Sequence, residues 1–153
     1  MDPGTRLVGY GLVDFTPRTG RFAYLECGIL RVQTTQDMAH RLLQIADAVD
    51  ELIGEFSPRE LALETAFYGV NANSALKLGQ ARGAIMVSAA RRQVRVAEYA
   101  PAHVKKAVVG HGRATKAEIQ ERVRLLCRLQ TAPRADAADA LALAICHGQQ
   151  VGR

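Results

Sequence analysis

The sequence predicts one mixed α/β domain spanning residues 1–153. Three observations carry that reading. Two strand-like runs stand near the start, separated by Pro17 and Gly20; a helical face repeats from Met38 to Phe56; and strand and helix signals alternate after it. At 153 residues there is no room for two independent cores. A composition 48% apolar and 23% charged argues against disorder.

The elements follow in order. Leu7-Val8-Gly9-Tyr10-Gly11-Leu12-Val13 and Phe22-Ala23-Tyr24-Leu25-Glu26-Cys27-Gly28-Ile29-Leu30 read as antiparallel strands. Met38, Leu42, Ile45, Val49, Leu52 and Phe56 repeat at helical spacing, with Thr34 and Asp37 marking the start and Pro58 the end. Leu61-Ala62-Leu63-Glu64 is a short buried strand that ends in a carboxylate. A polar loop from Phe67 to Asn73 leads into a helix from Ser74 to about Arg92. Within that helix Gly79 and Gly83 lie one turn apart, and each costs about 1 kcal/mol relative to alanine. Close approach of a neighbour or a second subunit is the expected compensation. Val94 to Glu98 reads as another strand, and Thr115 with Glu118 has the form of a capping box before Ile119, Val123 and Leu126. The last helix has Pro133 near its first turn and runs to Cys146, with Gly148 as its expected stop.

Composition excludes several classes. No apolar run approaches the roughly 18 residues of a membrane span. The opening Met1-Asp2-Pro3-Gly4 lacks the form of a secretory signal. Cys27, Cys127 and Cys146 form no C-x-x-C pair, so reduced thiols and a cytoplasmic location are expected, with no membrane partner. Charge is uneven: residues 1–90 carry 8 Lys+Arg against 10 Asp+Glu, and residues 91–153 carry 12 against 5. A half so basic suits either a polyanionic partner or a solvated basic surface.

The carboxylates are the chemical signal. Asp136 and Asp139, three apart on the last helix, share a face in an alanine- and leucine-rich setting. They serve the helix dipole as first-turn aspartates, or as close like charges they need a cation, a proton or full solvation. Glu64 ends an apolar strand, where open α/β sheets place functional groups and where a solvated carboxylate is equally at home. Asp2 lies in an Asp-Pro-Gly turn leading into the first strand. Spacing alone does not bring the four together.

Longer segments do more. Asp2-Pro3-Gly4-Thr5-Arg6-Leu7-Val8-Gly9-Tyr10-Gly11, Asn73-Ser74-Ala75-Leu76-Lys77-Leu78-Gly79-Gln80-Ala81-Arg82-Gly83, Val104-Lys105-Lys106-Ala107-Val108-Val109-Gly110 and Ala135-Asp136-Ala137-Ala138-Asp139-Ala140-Leu141-Ala142 occur in this order. Through them the chain resembles the RuvC family of Holliday-junction resolvases. The resemblance implies a ribonuclease H-like fold, a mixed five-stranded sheet flanked by helices. It implies that Asp2, Glu64, Asp136 and Asp139 are the catalytic, metal-binding acids. Four oxygen donors without Cys or His suit Mg²⁺, with Mn²⁺ as a substitute. Two ions per site would support in-line hydrolysis of a phosphodiester. The implied outcome is paired, symmetric nicks in a four-way DNA junction, with 5′-phosphate ends, in recombination and repair. A homodimer and cooperation with the RuvA–RuvB branch-migration complex are implied as well, with the Gly79–Gly83 helix as the expected dimer interface. The family carries a short apolar strand before Asp-Pro-Gly; here Asp2 follows Met1, so the first strand is expected to be truncated. The Met1 amine is then expected to lie near the acids and compete with a cation.

The same resemblance assigns Lys105 and Lys116 to DNA, near the scissile phosphate or along the backbone. Lys106 and Arg82 are further DNA-binding candidates, and Arg91, Arg92 and Arg113 weaker ones. Phe67, in its polar loop, is expected to stack on a base near the crossover, with Tyr68 as the alternative. His103 and His111 flank the Lys105–Lys106 segment; His40 and His147 read as helix-surface residues. The alternative function is a catalytically silent junction-binding protein with an incomplete metal site.

Overall fold

Side-chain size alternates along the first strand, and that alternation decides what can lie on each face of the sheet. The structure, a computed structural model, describes residues 1–65 and 71–151. Strands β1 (Leu7–Thr16) and β2 (Arg21–Arg31) form an antiparallel hairpin, in register from Leu7 opposite Arg31 to Thr16 opposite Arg21, with a bulge at Leu12/Val13. Then come α1 (Met38–Phe56), β3 (Glu60–Glu64), α2 (Ala72–Arg91), β4 (Arg95–Tyr99), α3 (Pro101–Val109), α4 (Lys116–Leu126) and α5 (Ala135–Val151). β3 and β4 pair in parallel, from Glu60 opposite Arg95 to Glu64 opposite Tyr99, as a crossover through a helix requires.

Two apolar layers flank the strands. Val8, Leu61 and Leu63 point toward α1 and α2, where they meet Ile45, Val49, Ile53, Ala81, Ile85 and Ala89. Ala62, between the two leucines, points the other way, into a cluster with Val104, Val108, Ile119, Val123, Leu141 and Leu143 from α3, α4 and α5. This is the period-2 alternation of a strand covered on both faces.

α5 lies directly on β1. A methyl group at Gly9 would overlap the Asp136 carbonyl, and one at Gly11 would come within 2.7 Å of Leu141 Cγ. Farther along, a methyl at Gly148 would meet Phe22 Cε1 at 2.7 Å and Phe15 Cγ at 3.0 Å. Gly148 therefore does not stop the helix, which continues to Val151; its missing side chain admits the Phe15–Phe22 pair.

The expected five-stranded sheet is not what these residues form. They hold two separate two-stranded ladders, β1–β2 and β3–β4. Met1 and Asp2 lie between them: Asp2 and Gly9 exchange backbone hydrogen bonds of 2.9 and 3.0 Å, and Glu64 N donates to Met1 O at 3.4 Å. Two residues make a bridge at Asp2–Gly9 but not a ladder. Helix α3 is an element the sequence reading leaves unassigned. Its signals are ordinary: Pro101 in the first turn, Val104 and Val108 buried one turn apart, and Gly110 at φ 103° as the left-handed cap. The capping box at Thr115 and Glu118 forms as read. Among the described residues nothing lies within 4 Å of a methyl group added at Gly79 or Gly83, so none of them explains these glycines.

Gly9→Ala is expected to lower the free energy of unfolding by about 1–3 kcal/mol, the cost of forcing volume into a close-packed contact. Urea denaturation reads this directly. A variant as stable as the parent would show that α5 can lift off β1 at no cost.

Candidate active site

Three acids far apart in sequence reach one cleft because three elements end there. Asp2 is held by its bridge to Gly9, Glu64 ends β3, and Asp139 stands in the first turns of α5, which Gly9 and Gly11 let down onto β1. The cleft, of about 320 Å³, is lined by Asp2, Glu64, Pro101, Val104, Lys105, Lys116, Ile119, Asp139, Ala142 and Leu143. Acids and lysines thus sit on an apolar floor supplied by α3, α4 and α5. A larger opening of about 680 Å³ lies along β2 and the end of α4 and contains no carboxylate. It has none of the chemistry concentrated in the smaller cleft.

The electrostatics show negative charge that the protein leaves uncompensated. Burial pushes the Asp2 carboxyl up to about 7, and the charges of Glu64 and Asp139 add to it. Glu64 is raised by burial and by Asp139, against the hydrogen bond from Asp2 and the fields of the Met1 amine and Arg82. Burial likewise raises Asp139, while Lys116 and Lys105 pull it down and Asp136 pushes it up. Lys116 Nζ stands 3.9 Å from Asp139 Oδ2. The Met1 amine donates to Ala62 O at 2.5 Å, and burial lowers its pKa to about 5. That shift weakens the expected competition of its charge with a cation.

The other candidates fall out as follows. Asp136 is not among the residues lining the cleft; it abuts Gly9 through its backbone and acts on Asp139 through its charge. Lys106 is exposed in the last turn of α3. Arg82 is paired with Glu98, its side chain only 11% exposed, so it backs Glu64 electrostatically rather than standing free on the surface. Phe67 and Tyr68 lie outside the described residues. His147 is not a helix-surface residue: its side chain is 13% exposed, and Nδ1 lies 2.8 Å from the Tyr99 hydroxyl. The sequence reading missed Gly9 as the contact that seats α5, and it missed the apolar floor of Pro101, Val104 and Ile119. The spacing of Gly9 and Gly11, two residues apart on one strand face, is the signal that could have found the first.

The donor set is all oxygen, which fits a hard divalent cation. Among the described residues no three His, Cys, Asp or Glu side chains already form a closed ligand group. The acids converge on a common cleft without meeting at a point.

Comparison with known proteins decides the family. The family model described as crossover junction endodeoxyribonuclease RuvC matches residues 1–147. The chain belongs to the RuvC family. Its relatives include the RuvC proteins of Legionella pneumophila strain Lens, 46% identical over 147 residues, and of Shewanella loihica, 47% identical over 147 residues. Each alignment covers 96% of this chain and 83% of the relative. The solved structure of Thermus thermophilus RuvC in complex with a Holliday junction substrate superposes with a TM-score of 0.91 at 33% identity, covering 98% of this chain and 91% of that one. The yeast mitochondrial resolvase Ydc2, at 12% identity and TM-score 0.67, covers 99% of this chain and 78% of its own and shares the fold. The α/β architecture of RuvC is therefore the architecture of this chain, with the two ladders described above.

The raised Asp2 value has a definite sign. The native state keeps a proton that the unfolded chain releases above about pH 4, so its stabilising share is complete below that pH. It is lost as pH rises through about 7. The lowered Met1 amine works oppositely, its share being lost as pH falls through about 5. The Asp2 carboxyl is therefore best followed by itself, by ¹³C NMR. Its midpoint is expected to fall from about 7 toward the usual carboxylate range in Glu64→Gln, which removes a neighbouring charge. An unchanged midpoint would leave burial and the Asp139 charge to account for the shift.

Proposed function

We propose that this chain is a divalent-metal-dependent endonuclease that resolves four-way DNA junctions, with the Asp2–Glu64–Asp139 cleft as its active site. The observation that carries the reading is the convergence of these three acids, with Lys105 and Lys116, in a chain that matches the RuvC model over residues 1–147. Mg²⁺, replaceable by Mn²⁺, would be held by Asp2, Glu64 and Asp139, with Asp136 beside them, two ions to a site. The ions supply charge stabilisation for the attacking and leaving oxygens of the scissile phosphodiester.

The chain's own groups do the rest. Lys116 and Lys105, beside Asp139, offer compact charges to the phosphate. The floor of Val104, Ile119 and Leu143 excludes water from behind the reacting group. Lys106 extends the basic surface along the DNA, while Arg82 tempers Glu64 from behind. Phe67, or Tyr68 beside it, stacks on a base at the crossover, worth about 1–3 kcal/mol. A homodimer would place two such sites on two strands, and the open, small-residue face at Gly79 and Gly83 supports α2 as its interface. Cooperation with RuvA–RuvB and a cytoplasmic location complete the proposal; among the described residues no helix is long and apolar enough to cross a membrane.

A labelled four-way junction and a matched duplex, each in Mg²⁺ and in EDTA, test it. Paired, symmetric incisions only with junction and Mg²⁺ are expected. Binding without cutting would instead support the silent junction binder. Asp139→Asn is expected to abolish cleavage and leave junction binding equal or slightly tighter, because a negative charge near phosphate is gone. Cutting at the parental rate would remove Asp139 from the mechanism. Lys105→Ala is expected to slow cleavage by about 10²-fold or more. It should also flatten the salt dependence of binding by about one unit of slope. A rate unchanged at every salt concentration would make Lys105 a bystander.

A further inference from the structure

Outside the cleft, the polar residues of α5 and the two parallel strands form a second cluster. His147 Nδ1 lies 2.8 Å from the Tyr99 hydroxyl, and its Nε2 stands 2.6 Å from Glu60 Oε2. The second contact is short but off-axis, since neither atom has a hydrogen bond of good geometry. Glu60 is also paired with Arg95, and the Tyr99 ring stacks on His103 with centroids 5.8 Å apart. None of these five residues lines the cleft.

The placement of this cluster is informative. Asp139, Leu143 and His147 are four residues apart in succession, so they share one face of α5. From Asp139 to His147 the helix rises about 12 Å. From Glu64 back to Glu60 the strand spans about 13 Å. Helix and strand therefore run side by side over matched lengths, with Glu64 and Asp139 at one end and Glu60 and His147 at the other. Leu143 and Ala62 pack in the same buried cluster between them. That middle contact is apolar and close-packed. At the acidic end Glu64 and Asp139 repel. The far end carries a polar contact between the two elements, and Tyr99 connects it back to the site: its carbonyl accepts from Thr65 N at 2.9 Å, one residue beyond Glu64.

We infer that His147, lodged against Glu60 and Tyr99, is a positioning residue that reinforces from the β3–β4 side the register that the glycine contacts with β1 give α5, and so keeps Asp139 within reach of a cation shared with Glu64. This rests on the metal-site reading above. A slip of one residue moves Asp139 by about 1.5 Å along the helix axis, most of a metal–oxygen bond length of about 2.0–2.1 Å. Groups that orient metal ligands without touching the metal alter affinity by about 10- to 100-fold.

The test uses the full chain and binds metal without requiring turnover. Free Mn²⁺ is followed by its EPR signal during titration of the parent, His147→Ala, His147→Gln, Glu60→Gln and Tyr99→Phe. Junction affinity in EDTA and the Mg²⁺ dependence of cleavage are measured beside it. His147→Ala is expected to weaken Mn²⁺ binding about tenfold. The Mg²⁺ needed for half-maximal cleavage should rise in parallel, with metal-free junction affinity within about twofold of the parent. His147→Gln, which keeps a donor toward Glu60, is expected to recover most of that loss. If His147→Ala does not fold, Glu60→Gln and Tyr99→Phe carry the test, each expected to weaken Mn²⁺ binding about threefold. Parental Mn²⁺ affinity in a folded His147→Ala, or in both of the other two, would overturn the inference. A parent chain that binds Mn²⁺ in a His147-dependent way but cuts no junction would overturn the proposed nuclease and leave the positioning role standing.

Discussion

The contact between α5 and β1 is the constraint on which the rest of the structure depends. Gly9 and Gly11 remove the side chains that would hold the helix off the strand, and Gly148 does the same for the Phe15–Phe22 pair near the other end. Once α5 lies at this distance, its buried face of Ala137, Ala138, Leu141, Ala142 and Ile145 completes the core. The same approach sets Asp139 opposite Glu64. Because Gly9 also bridges to Asp2, one residue links backbone packing to two of the three acids in the cleft.

A cost accompanies that arrangement. Burying acids together raises all three above their usual values, so the protein spends stability to keep negative charge in a partly apolar cleft. The lysines ease it only at the rim: Lys116 is 3.9 Å from Asp139 and largely exposed. An unneutralised group of hard oxygen donors is what a divalent cation, and then a phosphate, can use. The ties that resist this repulsion lie elsewhere, in the apolar layers and in the buried polar contacts around His147.

Much of the architecture was legible in the chain. The hairpin, α1, β3, α2, β4, the Thr115–Glu118 cap and the start of α5 follow from period-2 and period-3.6 patterns that local sterics impose. Helix α3 was legible too, through Pro101 and Gly110, but it is short and its apolar repeat is brief. Gly148 misled because glycine after a helical run is ordinarily a cap. Here its meaning is set by two phenylalanines more than a hundred residues earlier.

The candidate site divides along the same line. The types of its charged residues, carboxylates and lysines, were legible in the sequence alone, because oxygen donors suit a hard cation and a lysine suits a phosphate. Their order along the chain carried the family resemblance. Which of them meet was decided only by tertiary structure. Asp139 faces the cleft while Asp136, one turn earlier, turns its backbone to Gly9, and Arg82 is occupied by Glu98. His147, which reads as a surface residue by position, is enclosed by Tyr99 and Glu60. Local pattern fixes the direction of a side chain from its own helix or strand. Its partners depend on how closely the elements pack, and here three glycines, distant in sequence from the groups they admit, decide that distance.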